Sequence, residues 1–287
     1  QERRIGITAI ATKEPEDEVP LGSERFDTAS YSALSEEADA VLCEAVAAPA
    51  GAGSEAIDAD DAFWGDLCED FLHDIDCATD FGTAFHLCAQ QAACLAPSHG
   101  RLLKRPSDER IAAVAKRCGL GQGARRRLAA SLDRWLASDV ARMCERADTM
   151  TAELPFFIEL DRNSDDDPHR IRYLEGSIDL FVSWNGEGRD ARRAAVVDYK
   201  TGGSPDESKQ ELHAKHLLQA SCYAYAALMR GFDSVEAYFV RVEQSDAAEA
   251  GQPEVVRYAF GSDDIDALRL RIDEACRRLE EKRASRL

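Results

Sequence analysis

From Ala194 to Lys200 the chain reads Ala-Ala-Val-Val-Asp-Tyr-Lys, an apolar run that ends in charges at alternate positions. A short β-branched run of this kind predicts a buried strand. Side chains two apart on a strand share a face, so Asp198 and Lys200 are neighbours at its end. Upstream, Tyr173 to Ser183 predicts a second strand, and it carries Asp179. Asn185-Gly186-Glu187-Gly188 between the two is a hairpin signal, and pairing the strands as a hairpin brings Asp179 beside Asp198. Two carboxylates and an amine at one sheet end suit a divalent cation and an activated water.

The remaining pattern alternates helices and strands. Residues 63 to about 96 have helical periodicity, with Thr79-Asp80 as a cap and Phe81, Phe85, Leu87 and Cys88 on the buried side. A further helix is predicted from about 124 to 147. Strands follow at 150–160, 237–242 and 254–260. Pro205 near a first turn opens a helix that carries Gln219, Tyr223 and Tyr225 towards Arg230, and a charged helix spans 262 to about 283. Earlier, Ser30 to Ser35 opens a helix, and 47–61 is low in bulk, made mostly of Ala, Gly, Pro and acids. This order gives the α/β class, a mixed sheet flanked by helices behind an N-terminal helical layer. Residues 1–27, with a β-like run from Ile5 to Ile10, are expected to be a connector or an added edge strand. Residues 28–287 form one functional unit, helical over 28–149 and α/β over 150–287. The start at Gln1 is read as the mark of a piece of a longer chain.

Composition changes this picture in three places. The chain has 287 residues, 45% hydrophobic and 31% charged, enough for a full core, and no apolar run approaches the roughly 18 residues of a membrane span. Its net charge is −19, the wrong sign for gripping nucleic acid by bulk electrostatics. The clearly basic stretch runs from Arg101 to Arg127 and includes Arg125, Arg126 and Arg127; it is either a solvated helix face or the place where a phosphate backbone sits. The nine cysteines form an odd set with no Cys-x-x-Cys, read as buried reduced thiols in a cytosolic compartment. No Walker A pattern occurs, so ATP hydrolysis is not expected of these residues.

The chemistry-bearing residues also form an ordered series: Gly82 with His86, Glu153 before Leu154-Pro155-Phe156-Phe157, Gly176 with Asp179, Asp198 with Lys200, and Gln219 with Tyr223. One Asp-x-Lys alone is weak. Five elements in order over about 140 residues resemble the PD-(D/E)xK nucleases and, within them, the RecB-like nuclease domains at the C-terminal end of AddA- or RecB-type helicase-nucleases. The resemblance implies a restriction-endonuclease-like fold and a Mg²⁺-dependent deoxyribonuclease.

Its implied metal ligands are His86, Asp179, Asp198 and the Tyr199 carbonyl, holding Mg²⁺ or Mn²⁺. Lys200 is implied to orient or help deprotonate the attacking water, with Glu153 as a supporting residue. Gln219 and Tyr223 share a helix face and are implied either to contact the DNA strand or to buttress the site. An isolated His86 would more simply be a core or cap histidine, and the motif makes it a ligand or a neighbour of the metal. Some relatives hold an iron-sulfur cluster through three closely spaced cysteines after the core; only Cys222 and Cys276 follow Lys200, so no cluster is expected. The implied partners are single-stranded DNA delivered by a helicase, helicase domains of the same parent chain, and a second AddB/RecC-like subunit. The implied setting is the bacterial cytoplasm, in double-strand break repair, with no membrane contact. The rival readings are a catalytically silent nuclease fold that binds DNA ends or docks subunits, and a stand-alone nuclease of the same chemistry.

Overall fold

The computed structural model describes residues 25–30, 80–93, 103–161, 170–186, 191–202, 207–243 and 252–284. In order these form β1 (Arg25–Ser30), α1 (80–93), α2 (Asp108–Arg117), α3 (Gln122–Leu136), α4 (Asp139–Cys144), β2 (Thr149–Asp161), β3 (Arg170–Trp184) and β4 (Arg193–Lys200). They continue with α5 (Lys209–Leu228), β5 (Ser234–Arg241), β6 (Glu254–Gly261), a single 3₁₀ turn at Ser262–Asp264, and α6 (Ile265–Ala284).

Six strands make one mixed sheet, in the path β1-β3-β4-β5-β6 with β2 on β3. The long strand β3 is its spine. β2 runs antiparallel along one edge of β3 from Thr149–Ser183 to Asp161–Arg172. Because a strand has two edges, β1 and β4 must share the other, and they do so end to end. β1 pairs in parallel with Arg170–Glu175, and β4 pairs antiparallel with Leu180–Trp184. β4 then pairs in parallel with β5, a connection that requires a crossover, which α5 supplies. Pro155 sits mid-strand in β2, where its missing N–H is tolerated if it faces the side away from β3.

Alternation along β4 feeds two cores. Ala194 and Val196 pack with α5 and α6, whereas Ala195, Val197 and Tyr199 pack with the α1–α4 layer. This explains why β4 is apolar at successive positions: both of its faces are covered. The mixed sheet flanked by helices is the expected restriction-endonuclease-like α/β fold.

Several boundaries differ from expectation. The helix expected from 124 to 147 is two helices, because Ser138 adopts extended backbone (ψ 158°) and its side chain caps the N–H of Ala141 at 3.1 Å. Ser30, expected to open a helix, instead ends β1; its pairing with Glu175 is across a long sequence gap that local pattern does not register. β1 also takes up residues 25–27 of the expected connector. Ile5–Ile10, the 47–61 stretch, the start of the helix at 63, Thr79 and Pro205 lie outside the described residues. The cap of α5 is a capping box between Ser208 and Glu211. Cys88, Cys144, Cys222 and Cys276 are buried, none of them in a disulfide; burial pushes the Cys88 thiol to about 11 and that of Cys144 to about 12. Among the described residues no helix is long and apolar enough to cross a membrane.

Gly176 lies under the ring of Phe156, its cross-strand partner on β2, and a Cβ there would come within 2.6 Å of Phe156 Cζ. Gly176→Ala should therefore lower stability by about 1–3 kcal/mol through overpacking, read by urea unfolding. Adding Phe156→Leu to the same chain should recover part of that loss, since it removes the atoms that collide.

Candidate active site

The site is built where the ladders on β3 break. Pairing of β3 with β4 proceeds from Trp184–Arg193 to Leu180–Val197 and stops. Two residues past Val197, the Tyr199 N–H donates to Asp179 Oδ2 at 2.8 Å, so a carboxylate takes a donor that a ladder would have used. On the other edge, Ala152 pairs with Leu180 and Leu154 with Ile178, but the intervening Glu153 and Asp179 do not pair. Glu153 has φ 51°, a left-handed backbone that costs a non-glycine residue about 1–3 kcal/mol. The faces of β3 also exchange here: Leu174 and Ile178 lie in the α5–α6 core, whereas Leu180 and Val182 lie in the other. Asp179 thus occupies a kink that frees its carboxylate from the regular sheet.

Helix α1 brings His86 to that kink. Its Nδ1 is 3.4 Å from Asp179 Oδ1. One turn earlier, a Cβ on Gly82 would stand 2.9 Å from Thr201 Oγ1, so glycine lets α1 rest against the residue after Lys200. Phe85 fixes the rotation of α1 by meeting the Tyr199 ring edge-on at 5.4 Å, and Trp135 meets the same ring at 5.0 Å. Ligating atoms of His86, Glu153 and Asp179 all lie within 4.8 Å of one another.

Burial, then the charge of Asp198, holds the Asp179 carboxyl above the usual range. Burial and then Asp179 do the same to Glu153. For His86 burial works downward, but the hydrogen bond and charge of Asp179, with the charges of Asp198 and Glu153, outweigh it and raise the imidazole. Burial leads for the two carboxyls and negative neighbours contribute to all three shifts; a divalent cation would relieve that part.

Asp198 sits next to this cluster, 3% exposed, in a network from α5. Its Oδ2 accepts from Gln219 Nε2 at 2.6 Å and from the Tyr223 hydroxyl at 2.9 Å. Gln219 Oε1 accepts from Lys200 Nζ at 3.0 Å, and Gln219 Nε2 also lies 2.7 Å from the Tyr223 oxygen. A carboxylate only accepts and an ammonium only donates, so a single amide orientation serves both. Lys200 Nζ is 2.8 Å from Asp198 Oδ1, but that buried oxygen receives no aligned hydrogen bond. Asp198 Oδ1, which faces the Lys200 ammonium, stands beside a His and two carboxylates, a mainly oxygen donor set suited to a divalent ion.

The structure therefore brings together His86, Glu153, Asp179, Asp198 and Lys200, with the Tyr199 backbone bound to Asp179 and its phenol buried on the opposite face. Gln219 and Tyr223 are only 4% and 2% exposed. That leaves Tyr223 no ring face for a base to stack on; of the two implied roles, the geometry matches buttressing Asp198. Arg125 and Arg126 are exposed near the start of α3. Arg127 is held instead in an ion pair with Glu243 at 2.7 Å. Glu243, and Ser177, whose carbonyl lies 3.2 Å from the Tyr223 hydroxyl, had no sequence signal.

A helix-flanked mixed sheet with an acidic, lysine-bearing site at the kink of β3 and the end of β4 defines a restriction-endonuclease-like protein. The chain belongs to the PD-(D/E)XK nuclease superfamily, whose sequence model matches residues 68–286. Membership implies a nuclease-type hydrolase, and such nucleases typically use a divalent metal. Among solved structures, one titled "Crystal structure of SSO0001" is similar over 58% of this chain and 65% of its own, just under two thirds of its length, at 11% identity. Its TM-score is 0.31, too low to carry an argument. No curated protein matches the chain.

The donor set yields a prediction. Millimolar Mg²⁺ or Mn²⁺, at about 100 times its Kd, should raise the melting temperature on the order of 5–10 °C by binding only the folded state. Asp179→Asn should erase most of this rise; an equal rise in both proteins would mean that the ions act elsewhere.

Proposed function

We propose that this chain is the metal-dependent DNA exonuclease domain of a helicase-nuclease that processes double-strand DNA ends for recombinational repair. The observation that carries the reading is the junction of two sets: His86, Glu153 and Asp179 at the kink of β3, and Asp198 with Lys200 at the end of β4.

His86, Asp179, Asp198 and the Tyr199 carbonyl would hold Mg²⁺ or Mn²⁺, and Glu153 would support the set. Bound there, the ion supplies Lewis-acid polarisation of the phosphodiester and lowers the pKa of a bound water. Lys200 is anchored by Gln219 Oε1 and Asp198, which leaves its ammonium able to orient the attacking water and offset charge that develops on the phosphate. Gln219 and Tyr223 fix the Asp198 carboxylate through Oδ2, which leaves Oδ1, beside Lys200, as the oxygen that would meet a cation. The Glu153 backbone is held out of the ladder in a strained conformation, which keeps its carboxylate near the kink.

Asp198→Ala and Lys200→Ala should each reduce Mg²⁺-dependent cleavage of single-stranded DNA by about 100-fold or more while leaving the far-UV spectrum unchanged. Undiminished digestion by either variant would sink the assignment.

The net charge of −19 makes the chain a poor strand binder by itself, which fits a domain that receives its strand from attached helicase domains, with an AddB/RecC-like subunit, in the bacterial cytoplasm. Its local positive charge at Arg125 and Arg126 offers a phosphate track. The double substitution of Arg125 and Arg126 by Glu should weaken single-strand binding and flatten its salt dependence, by about two in the log–log slope at most, and leave the metal-induced melting shift intact. Unchanged binding would reduce these residues to a solvated helix face.

A further inference from the structure

We propose that Arg127 is a positioning residue of the active site, acting through Glu243 on the backbone that follows Lys200. The Arg127 guanidinium presents Nη2 at 2.7 Å and Nε at 3.2 Å to Glu243 Oε1. The other oxygen of the same carboxylate, Oε2, accepts the Gly202 N–H at 3.2 Å. One side chain therefore joins α3 to the main chain two residues past Lys200.

The rest of the surroundings brace the same point. Lys200 O accepts from Val242 N at 3.1 Å, and Val242 O accepts from Arg134 Nη1 at 2.6 Å, so α3 holds the exit of β5 at two places. The Arg127 guanidinium also lies 4.9 Å over the ring of Phe81, the residue before Gly82. Gly82 in turn is the point where α1 meets Thr201. The segment 200–202 is thus set between α1, which carries His86, and Glu243, which Arg127 orients. Lys200 must be placed against Asp198 and Gln219, and the direction of its backbone is fixed from this side. Arg127 is still 60% exposed at its side chain and Glu243 25%, so proximity alone would equally permit Arg127 to leave Glu243 for a phosphate; the two roles predict opposite responses at Glu243.

The cleavage arm of the test rests on the nuclease reading above, and the amide-exchange arm does not. The full chain is compared with its Arg127→Gln, Arg127→Lys and Glu243→Gln variants and the double variant Arg127→Gln/Glu243→Gln, on a single-stranded oligonucleotide with Mg²⁺ or Mn²⁺. Both single Gln variants should lower kcat by about tenfold, the scale of a small misplacement at a reacting group. KM should stay within about twofold, as expected when no ground-state contact is lost. The double variant should fall no lower than either single one, since the two side chains act as a unit. Arg127→Lys, a point charge without the planar fork, should not restore kcat. Exchange of the Gly202 amide hydrogen should be faster in Arg127→Gln than in the unmodified chain.

A phosphate contact gives the reverse. Glu243→Gln would then remove a competing anion and lower KM with kcat held, Arg127→Gln would raise KM, and Arg127→Lys would retain most of the activity. That pattern, or an unchanged Gly202 amide in Arg127→Gln, overturns the proposal. If the unmodified chain does not cleave at all, the nuclease reading fails, and the amide measurement alone decides the role of Arg127.

Discussion

The structure depends on one exchange of hydrogen-bond partners: the Tyr199 N–H is bound by the Asp179 side chain and not by the backbone of β3. A central strand normally satisfies its amides in its ladders, and a buried amide left unbound is costly. Here the pairing of β3 and β4 stops at Leu180–Val197, and Asp179 Oδ2 satisfies the donor that follows. The exchange lets the two strands part without leaving that amide orphaned. It also holds Asp179 close to the end of β4, where Asp198 and Lys200 stand. On the opposite edge, the left-handed Glu153 opens the β2 ladder at the same level. The break on both sides of Asp179 is what gathers acidic side chains from three strands.

Such a gathering is unstable unless each charge has a partner, and the partners come from different layers. α5 supplies Gln219 and Tyr223 to Asp198, and β4 supplies Lys200 to the same carboxylate. α1 supplies His86 to Asp179. Each helix is placed by features remote from the charges: α5 by its Ser208–Glu211 capping box and its apolar packing on the sheet, α1 by Gly82 against Thr201 and by Phe85 against Tyr199. The two hydrophobic cores therefore act as one device with respect to the site, since Tyr199 belongs to one and Tyr223 to the other. Packing on both faces of β4 fixes the height at which the carboxylates meet.

Much of this was legible in the sequence because it is local. The Ala194–Lys200 run reads as a buried strand whose charges share a face, and Gln219 and Tyr223 read as one helix face. What was not legible follows from contacts distant in the chain. Pattern gives Gln219 and Tyr223 a common face but not its direction, and the buried answer came only with Asp198 across 21 and 25 positions. The Ser30–Glu175 pairing is equally distant. Gly82 could be recognised as part of a motif, yet its physical reason is Thr201. Ser138 caps α4, but apolar periodicity continues through it, so 124–147 read as one helix. No residue preference assigns a left-handed backbone to a glutamate, so the Glu153 conformation had no sequence signal.

Charge balance at the site favours a cation. Lys200 matches Asp198 at 2.8 Å, which accounts for one carboxylate in this buried centre. Asp179 and Glu153 remain, both pushed towards protonation by burial and by their acidic neighbours, with His86 raised as though to take up a proton in compensation. A proton on His86 offsets only part of that charge, whereas two carboxylates together match one divalent ion. Replacing the carboxylates by apolar groups would relieve the same repulsion, yet the chain spends backbone strain at Glu153 and a broken ladder at Asp179 to keep them together. Strain retained beside crowded carboxylates makes sense where a bound divalent ion would balance Asp179 and Glu153.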